Sequence, residues 1–210
     1  MCSNRGSLMI ERGIAVSVFT DFCTNKEARI LDVGSGDGSF LVSLAESGYT
    51  TLYSIDIENN LKDDVLDQSH VFRADLSFDK IPLPNNSLDI ITAWQVVEHL
   101  ENPHNFIREA YRTLEPGGYF LVSIPNPFHL ISRLLFLKRG NMPRWTKNNN
   151  HLTIFTKDLF QKAFLQKYFD LIETRYHLGE FTYGPFKLLD GKYPENEWFG
   201  HFVTYVMRKK

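Results

Sequence analysis

A chain of 210 residues with 43% apolar and 14% aromatic content can bury a substantial core, and its length suits one decorated domain spanning 1–210. Lys and Arg number 23 against 25 Asp and Glu, a net charge of −2, which argues against a globally basic nucleic-acid binder. Cys2 and Cys23 make no CxxC pair, no apolar run reaches membrane-span length, and Asn4, Arg5, Glu11 and Arg12 interrupt the start, so a cytoplasmic protein without disulfides, thiolate zinc, membrane span or secretory leader is expected.

In chain order, residues 8–23 predict an amphipathic helix. Arg29–Val33 predicts a strand ending at glycines, with Phe40, Leu41, Leu44 and Ala45 at helical spacing behind it. Thr51–Ile55 predicts a second strand that stops at Asp56, Val71–Arg73 a third, and Leu88–Ala93 a fourth. Asn102 and Pro103 read as an N-cap and first helical position. Phe106, Ile107, Ala110, Tyr111 and Leu114 share the next helix's apolar face. Glu115-Pro116-Gly117-Gly118 breaks that helix before a fifth strand, Tyr119–Ile124. Thr156–Gln166 predicts a capped helix with Leu159, Phe160, Ala163 and Phe164 inward. Phe169–Tyr176 and Phe202–Met207 predict two last strands, with an ordered loop over 179–200 between them. This alternation implies an α/β fold, a mostly parallel sheet with helices on both faces. Such sheets bind ligands at the carboxyl ends of their strands.

The unusual residues stand at those ends. Asp32-Val33-Gly34-Ser35-Gly36-Asp37-Gly38 follows the first strand and opens a helix. Its glycines allow positive φ and close approach of a ligand to the backbone, and the helix start favours an anion. A dinucleotide fingerprint would need glycine at 39, where Ser39 stands. Asp56, after the second strand, can accept hydrogen bonds from both hydroxyls of a ribose. Asp75, after the third, can accept from an adenine amino group. Either acid alone is as well read as a solvated turn or an N-cap. Three acids after three consecutive strands make a sharper pattern.

Several longer motifs accompany them: Ile30-Leu31-Asp32-Val33-Gly34-Ser35-Gly36-Asp37-Gly38, Asp56, Ala74-Asp75-Leu76, Leu83-Pro84-Asn85-Asn86-Ser87-Leu88-Asp89-Ile90-Ile91, Val97-Glu98-His99-Leu100 and Leu114-Glu115-Pro116-Gly117-Gly118. In order and spacing, residues 29–124 resemble the class I S-adenosylmethionine-dependent methyltransferases, particularly the type 11-like small-molecule branch. The resemblance implies a Rossmann-like, doubly wound seven-stranded sheet of order 3-2-1-4-5-7-6 with strand 7 antiparallel. It implies S-adenosyl-L-methionine as cofactor and S-adenosyl-L-homocysteine as product. Gly34, Ser35 and Gly36 would pass the cofactor's methionine part, and Asp32 would hold its ammonium. Asp56 would bind the ribose, Ile57 would pack on adenine, Asp75 would receive the adenine amino group beside the Leu76 backbone, and Gln95 would line the transfer chamber.

The implied reaction is in-line transfer of a methyl group to oxygen or nitrogen of a small or carrier-linked acceptor. It rests mainly on alignment of the reacting atoms and requires no metal. Two alternatives stay open: a non-catalytic cofactor-binding module, or a methyltransferase of cell-surface glycan or lipid-linked intermediates. A nucleic-acid acceptor is disfavoured, since Ala93-Trp94-Gln95-Val96 replaces the Asn/Asp-Pro-Pro-aromatic motif of the amino-methylating enzymes. His99 and His151 are candidate general bases. The competing readings are that His99 shapes the cofactor pocket or the helix after it, and that His151 caps or orders the segment before the last helix. Seven histidines without paired i,i+4 spacing indicate no metal site. Trp94, Tyr183, Phe186 and Trp198 are candidate acceptor-pocket walls, although most aromatics in such a chain belong to the core.

Residues 126–151 form an insert between the fifth strand and the last helix. Arg133, Lys138, Arg139, Arg144 and Lys147 stand in 126–150 without an acid, while the rest of the chain carries 18 basic against 25 acidic residues, a net −7. Three readings compete: a lid with solvated charges, recognition of an anionic acceptor by Arg133 and Arg144, and peripheral docking on an anionic membrane.

Overall fold

The computed structural model describes residues 5–58, 61, 69–178 and 194–210. Seven strands, β1 (Arg29–Val33), β2 (Thr51–Asp56), β3 (Ser69–Arg73), β4 (Leu88–Trp94), β5 (Leu114–Pro125), β6 (Phe169–His177) and β7 (Phe202–Lys209), form one sheet of order β3-β2-β1-β4-β5-β7-β6. Strands β1 to β5 run parallel, and β7 is antiparallel to both neighbours. This is the order and polarity that the resemblance implies.

The central strands are apolar at successive positions because both of their faces are covered. Ile30 packs on one side with Leu52, Ile90, Leu121 and Val206, beneath α1 (Arg5–Phe22) and α2 (Ser39–Glu46). Its neighbour Leu31 packs on the other with Ile91, Phe120 and Val122, beneath α3 (Pro103–Thr113). Each such fully buried Leu or Ile contributes about 1.5–3 kcal/mol. Helix α3 buries Phe106, Ile107 and Ala110 one turn apart, and Pro103 opens it as expected. Asn102 occupies the N-cap position, yet its side chain makes no capping bond.

Two expectations shift in detail. Strand β5 begins at Leu114, opposite Leu88, and the register slips before Ile90 meets Tyr119. The Glu115–Gly118 segment is therefore a bulge within a longer strand, turned at Gly117 with φ +80°. Thr156 caps α5 (Lys157–Phe160) by accepting from the Leu159 amide, after which the chain widens into a π-helical turn over Gln161–Leu165. Phe160, Ala163 and Phe164 are buried, whereas Leu159 is exposed. Its place is set by Phe160, which stacks between Phe164 at 4.4 Å and Tyr205 at 3.9 Å and turns the preceding residue outward.

At the amino edge, Arg29 binds Asp89 through Nε and Nη2 at 3.0 Å each and also pairs with Glu115. Asp89 is thereby held below the usual carboxylate range, first by its bond to Arg29. At the opposite edge the strand order reverses between β1 and β4, which is where such sheets open a ligand crevice.

Candidate active site

The β1–α2 turn forms one wall of that crevice. Gly34 stands at φ +67°, and a Cβ there would lie 2.4 Å from Val96 Cγ2, so only glycine fits between the loop and the end of β4. Gly36 also has positive φ, but a Cβ would meet nothing within 4 Å. Its backbone therefore borders open space. The Ser35 hydroxyl points the other way and shares a 2.7 Å hydrogen bond with Ser54, so Ser35 offers the crevice its backbone.

Asp32 is 2% exposed and accepts a 2.7 Å hydrogen bond from Thr92 Oγ1. Burial pushes its carboxyl up to about 7, with the Thr92 bond opposing and the Asp56 charge adding to the rise. A buried carboxylate in this state favours a cation beside it. Asp32, Gly34, Ser35, Gly36 and Gln95 line one cleft of about 370 Å³. Arg12, Phe40, Trp94, Ser123 and Phe202 complete most of its wall. Asp56, Ile57, Asp75 and Leu76 lie outside that lining, further along the carboxyl edge on the β2–β3 side. Asp56 accepts the Gly36 amide at 2.9 Å and the Glu58 amide at 3.1 Å. Ile57 beside it is 55% exposed. Asp75 accepts the Ser77 amide at 2.9 Å, an Asx turn, and Leu76 is buried.

Arg12 and Phe202 were not legible as cleft residues. Arg12 reads locally as an ordinary helix arginine, and packing of α1 beside α2 brings it to the crevice. Trp94, a candidate wall of the acceptor pocket, lines this cleft, where its buried indole N–H has no partner.

Immediately after β4, Gln95 adopts φ +55°, an uncommon backbone state for a non-glycine residue. Its amide donates to the Ser123 carbonyl and hydroxyl, and its side chain donates to the same hydroxyl at 3.2 Å. The chain then enters a 3₁₀ turn, Val97–His99. The Leu152 and Thr153 amides donate to the Glu98 carbonyl at 2.7 and 3.1 Å. His99 and His151, 52 positions apart in sequence, thus meet edge to face with ring centroids 4.6 Å apart. Burial pushes His151 down to about 4, helped by the charges of His99 and Arg144.

The insert stands apart from the cleft in this structure. No residue of 126–151 lines the cleft. Within α4 (Leu130–Arg139), Leu134 is 56% and Leu137 83% exposed. Arg133 is engaged internally. It pairs with Glu197, donates to the Phe128 carbonyl at 2.7 Å and lies 4.1 Å over the Trp198 ring. Arg144 stands nearer the histidines, and its charge lowers His129, His151 and His201. Tyr183 and Phe186 lie outside the described residues.

The donor set fits S-adenosyl-L-methionine. A buried carboxylate, an unpartnered indole N–H, Arg12 and open Gly36 backbone suit a zwitterionic amino-acid tail. Asp56 with exposed, apolar Ile57 suits a nucleoside.

The family described as "Methyltransferase domain" matches residues 12–177. A probable S-adenosylmethionine-dependent methyltransferase of Mycolicibacterium smegmatis is 49% identical over 47 residues, covering 22% of this chain and 18% of that protein. The ubiquinone biosynthesis O-methyltransferase of Caulobacter is 27% identical over 133 residues, covering 59% of this chain and 51% of that protein. These alignments thus span from about a fifth to about half of the curated relatives' own length. An S-adenosylmethionine-dependent methyltransferase structure from Mesorhizobium loti superposes with a TM-score of 0.64 at 18% identity, covering 94% of this chain and 97% of that one. That likeness is one of fold.

Proposed function

This chain belongs to the methyltransferase-domain family, whose cofactor is S-adenosyl-L-methionine, and on that premise we propose that it methylates oxygen or nitrogen of a small or carrier-linked acceptor. The observation that carries the reading is Asp32, a buried carboxylate held beside a glycine loop whose backbone is open. When bound, the cofactor's sulfonium supplies an activated methyl group to an in-line nucleophile. Asp32 holds the ammonium, Arg12 faces the carboxylate, and Gly34 and Gly36 admit the chain between them. Asp56 takes the ribose hydroxyls, Ile57 covers the adenine, and Asp75 receives its amino group beside Leu76. Gln95, fixed by Ser123, borders the transfer chamber. His99 and His151 lie on the acceptor side and can receive a hydroxyl or amine proton. Arg144, which stands near His129, His151 and His201, meets an anionic acceptor group. Arg133 serves it by holding the insert against Glu197 and Trp198.

A carrier-linked acceptor is favoured by α4, where exposed Leu134 and Leu137 precede Lys138 and Arg139. That composition suits an anionic lipid surface. Among the described residues no helix is long and apolar enough to cross a membrane.

The test is calorimetric titration with S-adenosyl-L-homocysteine and, separately, NADH. Specific binding of the homocysteine product supports the reading, and preferential binding of NADH refutes it. Co-sedimentation with anionic but not neutral vesicles tests the carrier-linked version, which falls if neither vesicle is bound.

A further inference from the structure

We propose that Glu98, His99 and His151 form a binding site for one divalent transition-metal ion, with open coordination positions toward the acceptor oxygen. One carboxylate oxygen of Glu98 and one ring nitrogen of each histidine lie within 4.8 Å of one another. Metal–ligand bonds of about 2.0–2.2 Å place tetrahedral ligands roughly 3.4 Å apart, so the three side chains need close by little more than an ångström.

The orientation of both imidazoles supports this. His99 Nδ1 lies 3.2 Å from the Asn150 carbonyl, which fixes the proton on that nitrogen and leaves Nε2 with its lone pair. His151 Nδ1 is buried with no hydrogen-bond partner. His99 is thus oriented by a backbone carbonyl through one nitrogen and offers the other, the arrangement typical of metal-binding histidines, and the buried Nδ1 of His151 is unpartnered beside it.

Two nitrogens and one carboxylate oxygen match catalytic three-ligand sites that keep a position open. Imidazole donors favour zinc-like ions over magnesium or calcium. The histidine spacing hides this site from sequence reasoning, because His151 arrives from the far end of the insert. The proposal rests on the methyltransferase reading for its role and narrows the acceptor to oxygen. As ligands the two imidazoles no longer act as bases: a coordinated hydroxyl releases its proton to water, its oxygen pair forms the bond to the methyl carbon, and the carbon–sulfur pair returns to sulfur as the thioether.

The experiment uses the untagged full chain, stripped with chelator and titrated with cobalt(II) chloride, whose visible spectrum reports coordination. One cobalt per chain, displaced by zinc, is expected. Glu98→Gln and His151→Ala should each weaken binding by at least about tenfold, while homocysteine-product affinity and circular dichroism confirm that each variant is folded. If His151→Ala does not fold, the near-isosteric Glu98→Gln carries the test. Absence of a stoichiometric cobalt complex, or unchanged affinity in a folded Glu98→Gln variant, overturns the site. Product binding without metal binding removes the metal and leaves the methyltransferase reading. Metal binding without product binding keeps the site and removes its role.

Discussion

Replacing Asp32 by Asn should weaken product binding while strengthening the ligand-free fold. The carboxyl sits at about 7 against an ordinary 3.8, chiefly because burial disfavours its charge. Since the folded value lies above the unfolded one, the fold holds a proton that the unfolded chain releases between about pH 4 and pH 7. Stability therefore falls with rising pH across that window, and above it the ionised group costs the fold up to about 4 kcal/mol. Asn keeps an acceptor for Thr92 and removes that cost, so the variant should melt higher than wild type at pH 7.5. Binding runs the other way. An ammonium requires the ionised carboxylate, so wild-type affinity should fall about eightfold between pH 7.5 and pH 6. Asn should lose about 1.5–3 kcal/mol, roughly ten- to a hundredfold in affinity, and should lose most of the pH dependence. Calorimetry at the two pH values and thermal melts of both proteins measure this. A flat wild-type affinity, or a variant with the wild-type pH profile, refutes the assignment of Asp32 to the ammonium.

Asp56→Ala removes both the expected ribose acceptor and the partner of the Gly36 amide. Product affinity should drop about ten- to a hundredfold, and unchanged calorimetry would exclude the ribose role. Gly34→Ala puts a methyl against Val96 at positive φ, which should cost about 1–3 kcal/mol. Val96→Ala in that background should restore part of the melting temperature, and a Gly34→Ala protein that melts like wild type contradicts the close approach. Arg133→Ala unties α4 from Glu197, which should lower stability by up to about 1 kcal/mol and leave product affinity unchanged. A raised acceptor KM at unaltered melting temperature would instead give Arg133 to the acceptor.

What the sequence by itself determined was local and periodic. Two-sided apolar runs such as Arg29–Val33 and Leu88–Trp94, and helix faces such as Phe106, Ile107 and Ala110, follow from side-chain spacing. They sufficed for a mostly parallel sheet with glycines at the turn after β1, while its strand order and the antiparallel last strand were implied only by the family resemblance that the motifs carry. Tertiary structure decided whatever depends on packing between distant segments. Leu159 turns outward because Phe160 stacks on Phe164 and Tyr205, which no helical periodicity within 156–166 encodes. Arg133 is taken by Glu197 and Trp198, contacts from a segment more than sixty residues away. Arg12 reaches the cleft through the docking of α1, and the insert leaves the cleft's walls to other residues. The Glu98–His99–His151 cluster arises because the Leu152 and Thr153 amides dock on the Glu98 carbonyl. Sequence reports what each segment presents, whereas the pairing of segments far apart along the chain is set by shape and hydrogen-bond partners that exist only once the sheet is built.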